Sequence, residues 1–257
     1  MRCKIIKNEK ITGDIKRLVF EEPALAKGAK AGQFVNIRVD DNYDPLLRRP
    51  FGINFIDEEK GLVMVLYQIR GRGTEALSKK NSGEFIDVLG PLGNGFMVDI
   101  RDSKVAVVGG GMGIAPLLEL CRVLKNKGNE VTAFLGFKDT PLLCNEFQNY
   151  SDFLIISTES GTCGYRGFVT EVLENHLYSN KMDFIYACGP KPMLKKVSDI
   201  SKNFGVPCQV SMEEKMGCGI GACLVCACKI KNENDFDYKR VCVDGPVFYG
   251  DEVIFDD

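Results

Sequence analysis

The chain of 257 residues is poor in histidine, with His176 alone, and no charge of one sign prevails: 33 Lys and Arg stand against 35 Asp and Glu, a formal net charge of −2. That balance excludes the basic face by which nucleic acid is bound, so no nucleic-acid partner is expected. A lone histidine with no metal-type neighbour reads as a core or surface residue. Long apolar runs are also missing. The longest weakly polar stretch, Val105 to Leu118, is broken by glycines and a proline and falls short of the ~18–20 residues that span a bilayer. The first ten residues lack the apolar centre of a secretion signal. There is no internal repeat and no low-complexity tract. These absences predict a protein of the cytoplasm, with no membrane segment.

Cysteine is abundant instead: there are 11. Without a secretion signal, metal ligation explains such a count better than a disulfide framework. Four of them, Cys218, Cys223, Cys226 and Cys242, follow the spacing C-x4-C-x2-C-x15-C. This is the plant-type pattern for a [2Fe-2S] cluster. Gly217, Gly219, Gly221 and Ala222 let the backbone wrap closely around sulfide and aim its amides at the cluster. Zinc usually takes two C-x2-C pairs, and only Cys223 and Cys226 form one. Cys228 stands two positions beyond Cys226 as a competing ligand and is left out of the set. Cys3, Cys121, Cys144, Cys163 and Cys208 read as small apolar fillers.

The length suggests about two domains at roughly 100–200 residues each. Residues 1–98 read as a small antiparallel β-barrel, with strands over 33–39 and 62–69 and a short helix over 75–80. Residues 99–207 alternate strands and helices. Strands are expected at 104–108, 130–135, 152–157 and 183–187, and helices at 115–126, 169–177 and 192–203. This is the pattern of a parallel α/β sheet. Residues 208–257 form the cysteine-rich segment. The fold class is therefore multidomain: an antiparallel barrel, an α/β parallel-sheet domain and a small C-terminal cluster arm.

Within the α/β part, Gly109-Gly110-Gly111-Met112-Gly113 joins a strand to a helix that opens with Pro116. Glycines admit a pyrophosphate, and the helix N-terminus supplies unpaired N–H groups. Gly110, Gly111 and Gly113 are the expected nucleotide contacts. A later strand ends in Cys188-Gly189-Pro190, and strand C-termini of open α/β sheets face the ligand crevice. Gly189 and Pro190 are further nucleotide candidates, and Cys188, small and polarisable beside a nicotinamide, is the catalytic candidate. In the barrel, Arg49 beside Pro50 is a rigidly placed cation suited to a diphosphate. Tyr67 is suited to stacking on a flavin, and Gly71-Arg72-Gly73-Thr74 offers a glycine turn with a hydroxyl. A nicotinamide exchanges electrons in pairs and an iron–sulfur cluster singly, so a chain with both sites needs a flavin between them.

Ala31-Gly-Gln-Phe-Val35, Arg49-Pro-Phe-Gly52, Gly90-Pro-Leu-Gly-Asn-Gly-Phe96, Gly109 to Pro116 and Ala187 to Met193 resemble the ferredoxin-NADP reductase superfamily. The tail, Glu213 to Cys223 and Cys242 to Phe248, resembles the electron-transfer subunits of class 1B dihydroorotate dehydrogenases, and this resemblance runs the length of the chain. It implies FAD in the barrel, NAD on the α/β domain and [2Fe-2S] in the arm. It places flavin contacts on Arg49, Pro50, Phe51, Gly52, Leu66, Tyr67, Gln68, Gly73 and Thr74, and cluster ligands on the same four cysteines. It further implies an FMN-containing dihydroorotate dehydrogenase catalytic subunit as partner, in a heterotetramer with two of each chain. Electrons would pass from that FMN through the cluster and FAD to NAD⁺, in pyrimidine biosynthesis. The family's Arg-Pro-x-Ser motif carries Gly52 here, which removes a hydroxyl from the flavin. Lys138 and Asp139 leave NAD against NADP open from chemistry alone. Two other readings fit the same residues: a differently partnered NAD(P)H:acceptor iron–sulfur flavoprotein, and a non-catalytic regulatory module with structural zinc.

Overall fold

The computed structural model describes residues 1–39, 44–233 and 235–255. The N-terminal part is a closed six-stranded barrel of β1 (Arg2–Thr12), β2 (Ile15–Glu21), β3 (Phe34–Arg38), β4 (Arg49–Asp57), β5 (Leu62–Gln68) and β6 (Phe85–Leu92). Strand order is β1-β2-β5-β4-β3-β6. Alternating side chains fill its interior, among them Ile5, Leu18, Phe20, Val35, Ile37, Ile53, Val63 and Val65. Closure leaves no open sheet edge. Two short helices decorate it: α1 (Pro23–Gly28) and α2 (Arg72–Ser78). The second starts three residues earlier than the sequence suggests. Thr74 Oγ1 accepts from the amides of Arg70 (2.9 Å) and Gly71 (3.2 Å), which draws the chain into its first turn there.

The α/β part contains β7 (Lys104–Gly110), α3 (Ala115–Asn126), β8 (Glu130–Phe137), α4 (Cys144–Tyr150), β9 (Phe153–Thr158), β10 (Tyr165–Arg166), α5 (Val169–Ser179), β11 (Phe184–Cys188), α6 (Lys191–Phe204) and β12 (Cys208–Ser211). Val105 to Val108 are all inaccessible to solvent, as expected for a strand covered on both faces. In α6, Leu194, Val197 and Ile200 face inward. The helix stops where Gly205, at φ 65°, caps it in the left-handed region.

The tail forms a small antiparallel sheet of β13 (Ala227–Lys231), β14 (Phe236–Arg240) and β16 (Val253–Ile254). Between them, β15 (Val247–Tyr249) leaves this sheet and pairs antiparallel with β12. It completes a seven-stranded sheet of order β10-β9-β8-β7-β11-β12-β15. The cysteine-rich arm is thus woven into the edge of the nucleotide sheet. Cys226 and Cys242 share one apolar core with Ile185, Val210 and Phe248.

Polar contacts seat the barrel on the α/β part. Asn54 Nδ2 donates to the Ala115 carbonyl at 2.8 Å, and the Ile56 amide donates to Glu119 Oε2 at 3.2 Å. On the tail side, Asn94 Nδ2 donates to the carbonyls of Val243 and Asp244.

Candidate functional site

One cleft of about 550 Å³ lies where the three parts meet. The barrel supplies Pro50, Phe51 and Gly52 from β4 and Leu66, Tyr67 and Gln68 from β5. The α/β part supplies Gly110, Gly111 and Gly113 from the glycine loop and Cys188, Gly189 and Pro190 after β11. The flavin and nucleotide residues expected from sequence therefore share a single cavity, apart from Arg49, Gly73 and Thr74.

Those three gather at the start of α2 instead. A Cβ on Gly73 would come 2.4 Å from Arg49 Nε, so the guanidinium lies directly against the first turn of the helix. Thr74 spends its hydroxyl on that turn. This corner offers the Arg49 guanidinium on the strand that carries Pro50. Tyr67 is 2 % exposed. Its hydroxyl donates to Asn8 Oδ1 at 2.8 Å, away from the cleft, and burial pushes its pKa up to about 12. Its ring meets Phe51 at 5.7 Å, so the pair makes an apolar wall. Gly52 abuts Pro116 of α3: a Cβ there would sit 3.3 Å from the proline Cβ. The absent serine is replaced by close packing between barrel and helix.

The nucleotide wall is built by contact as tight as backbone allows. A Cβ on Gly113 would fall 2.5 Å from the Cys188 carbonyl oxygen, so the glycine loop and the β11 turn touch. Burial pushes the Cys188 thiol up to about 12, with the Ser211 hydroxyl opposing. Burial thus favours the neutral thiol at Cys188.

Residues to which the sequence assigned no cleft role also line it: Arg70 from the barrel, Ser211 at the end of β12 and Met212 after it, and Glu213, Glu214 and Met216 from the tail motif. A cleft role was not readable for them, because the segment lies between the sheet pattern and the first cysteine and has no periodicity of its own. Glu214 pairs with Lys191 at the start of α6.

Two residues after Met216 the chain reaches Cys218. The thiols stand as two neighbouring pairs, Cys218 with Cys223 and Cys226 with Cys242. Backbone amides aim at the sulfurs. Ile220 and Cys223 donate to Cys218 Sγ at 3.5 and 3.4 Å, and Gly221 donates to Cys242 Sγ at 3.2 Å. Those amides, led by that of Ile220, pull the Cys218 pKa down to about 6. Burial first, then the neighbouring Cys226, pushes Cys242 up to about 11. Among the described residues no three His, Cys, Asp or Glu side chains close on one point as a lone ion requires. Amide donors to sulfur suit an iron–sulfur cluster, for which four thiols are a ligand set. Cys228 is buried on β13, its thiol pushed up to about 11 by burial and by Glu214. It packs in the apolar core.

Of the cysteines read as fillers, Cys3, Cys121 and Cys208 are buried, whereas Cys144 is half-buried and Cys163 exposed. Cys163 lies in the loop after β9, where the strand has ended and nothing covers it. His176 is half-buried on α5, its ring edge-on to Phe134 at 5.2 Å.

A barrel joined to a parallel nucleotide sheet, with paired thiols on the arm whose upstream segment lines their shared cleft, defines a ferredoxin-reductase-like iron–sulfur flavoprotein. Residues 2–96 match the oxidoreductase FAD-binding domain, 107–199 the oxidoreductase NAD-binding domain, and 213–254 the iron–sulfur cluster binding domain of dihydroorotate dehydrogenase B. A protein of Caldanaerobacter subterraneus subsp. tengcongensis named dihydroorotate dehydrogenase B (NAD(+)), electron transfer subunit, is 43 % identical over 257 residues, covering 99 % of this chain and 98 % of that one. A namesake from Desulforamulus reducens is 41 % identical over 239 residues, covering 92 % and 91 %. Among solved structures, a chain of the NADH-dependent reduced ferredoxin-NADP oxidoreductase superposes with a TM-score of 0.87 at 34 % identity, covering 98 % of this chain and 90 % of that chain. Phthalate dioxygenase reductase shares the fold, with a TM-score of 0.65 at 18 % identity over 95 % and 94 %. The chain belongs to the family of dihydroorotate dehydrogenase B electron transfer subunits. It is an NAD-dependent oxidoreductase subunit with FAD, NAD and iron–sulfur domains, which sets aside the zinc-holding regulatory module.

Proposed function

We propose that this chain passes electrons between a catalytic partner and NAD, with its own residues dividing the work as follows. Pro50, Phe51, Gly52, Leu66, Tyr67 and Gln68 hold the flavin ring, and Arg49, Gly73 and Thr74 hold its diphosphate corner. Gly110, Gly111, Gly113, Gly189 and Pro190 hold the dinucleotide, with Cys188 packed beside the nicotinamide as a neutral thiol. Cys218, Cys223, Cys226 and Cys242 ligate [2Fe-2S]. When bound, the flavin supplies the exchange between paired electrons on nicotinamide and single electrons on the cluster. The observation that carries this reading is the single cleft lined by barrel, glycine loop and Met212–Met216, a segment that runs directly into Cys218.

The partner is the FMN-containing dihydroorotate dehydrogenase subunit, two of each chain forming a heterotetramer in the cytoplasm. Ile220, Leu224 and Val225 project from the cluster loop at 52 %, 75 % and 57 % exposure. Apolar tips around a redox centre suit a covered interface. Among the described residues no helix is long and apolar enough to cross a membrane. Residues 1–98, 99–207 and 208–257 are the units assigned to FAD, NAD and cluster.

The test is stopped-flow spectroscopy of the holoprotein. NADH is expected to bleach the flavin band and then the cluster band, and dihydroorotate to do so only when the catalytic subunit is added. Failure of NADH to bleach the flavin rejects the reading. A differently partnered reductase is the second reading, favoured by the 0.87 superposition on a ferredoxin-linked enzyme chain. The protein that co-purifies with the chain discriminates the two.

A further inference from the structure

Asn36 belongs neither to the thiol set nor to the cleft lining, yet it joins them. On β3 its backbone pairs with Pro50 of β4, and Phe34, two residues earlier, lines the cleft. The side chain is 1 % exposed. Its Nδ2 donates to the Cys218 carbonyl at 3.4 Å, across 182 residues of sequence. A Cβ on Gly219 would come 2.3 Å from that nitrogen, and Gly219 holds φ at 71°, a conformation that favours glycine. The carboxamide is thus seated on the peptide that follows the first thiol. Its Oδ1 is buried and accepts no hydrogen bond among the described residues. Arg48 Nη1 donates to the Asn36 carbonyl at 3.4 Å and pairs with Asp87 of β6, adding a tie between β3 and β6. A buried amide with an arm unpaired is costly, and an apolar side chain fills such a space more cheaply.

We propose that Asn36 is a positioning residue for electron transfer. It clamps the Cys218 peptide to the strand pair that carries Pro50, and so sets the separation of cluster and flavin. Asn94, bound to the carbonyls of Val243 and Asp244, holds the Cys242 side of the loop in the same way. The inference rests on the electron-transfer reading above.

Asn36→Leu keeps the branched shape and removes both polar arms, and Asn36→Ser is a second, smaller variant should the first fold poorly. Both are compared with the unsubstituted holoprotein by NADH stopped flow and by hydrogen exchange of backbone amides 218–223. The expected result has four parts: unchanged flavin and iron content, an unchanged first phase in which the flavin is reduced, a slower second phase in which the cluster is reduced, and loop exchange faster by about fivefold, the factor that one net hydrogen bond provides. Equal slowing of both phases overturns the proposal, as does an unchanged second phase with unchanged exchange. If the unsubstituted protein shows no flavin reduction at all, the electron-transfer reading fails, and loop exchange alone still decides whether Asn36 seats the Cys218 peptide.

Discussion

Cysteine does opposite things in this chain depending on what surrounds the sulfur. Amides draw the Cys218 pKa down to about 6, while burial pushes Cys3, Cys188 and Cys208 each up to about 12. The buried set carries a pH signature. A thiol whose folded pKa lies above its unfolded value of 9.0 favours the fold below pH 9, and that contribution is lost as pH rises toward 12. The thermal midpoint is therefore expected to decline from about pH 9 upward. Cys208→Ala should flatten that decline, and an identical slope in the variant would show that Cys208 has no part in it. Spacing alone picked out the four thiols that the fold brings together as neighbours. The exposure of Cys163 was not, because it depends on how the loop after β9 is covered. The seat of Arg49 was likewise hidden until Gly73 was seen against it. Gly73→Ala should drive the guanidinium from its place and weaken flavin binding by about 1.5–3 kcal/mol, the worth of a charge-assisted hydrogen bond, or roughly 10- to 150-fold in Kd. Flavin retention on dialysis and fluorescence titration read this directly.

Among the elements, α3 and β4 determine how the barrel sits on the nucleotide sheet. Glu119 is 1 % exposed. It receives the Ile56 amide and both arms of Arg122, which lies over the Phe55 ring at 5.3 Å. Burial raises the Glu119 pKa, and Arg122 and the Ile56 amide oppose it; those donors fix the position of the carboxyl group. Glu119→Ala leaves the Ile56 amide without its acceptor, and a loss of about 1–3 kcal/mol is expected in denaturant unfolding. Glu119→Gln keeps one acceptor and should lose less; equal losses would place the effect in packing alone. The helix itself was readable to the residue, since Pro116 opens it and its apolar face repeats at the helical period. The strands β7, β8, β9 and β11 were readable within two residues, as short apolar runs bounded by turns. Strand β15 was not. At three residues it has no periodicity, and its partner β12 lies 36 positions back; only the folded sheet reveals the pair. The place of Ser211–Met216 in the cleft was hidden for the same reason, since it comes from the neighbours that β12 and β15 give the segment.

At the scale of the whole molecule, the cluster arm doubles as a wall of the nucleotide cleft. Met212 and Met216 line the cleft and also pack against the core that contains Cys226, Cys242 and Phe248. The segment is anchored upstream by the pairing of Ser211 with Cys188 and Val247, and downstream by Cys218. A bound cluster would complete the downstream anchor, because Cys218 and Cys242 would both be tied to it from opposite ends of the loop, and binding energy to the folded form is stability. Removing iron with a chelator then loosens the wall from one end while β12 and β15 keep the other. The barrel has no such dependence, since its strands close on themselves. Chelation is therefore expected to leave FAD bound and to weaken NADH by about fivefold, near 1 kcal/mol of lost ordering, as measured by calorimetry with NADH under anaerobic conditions. Reconstitution with iron and sulfide should restore the affinity. An NADH affinity indifferent to iron would mean that β12 and β15 hold Met212 to Met216 unaided, and that cleft and cluster, though continuous in the chain, are energetically separate.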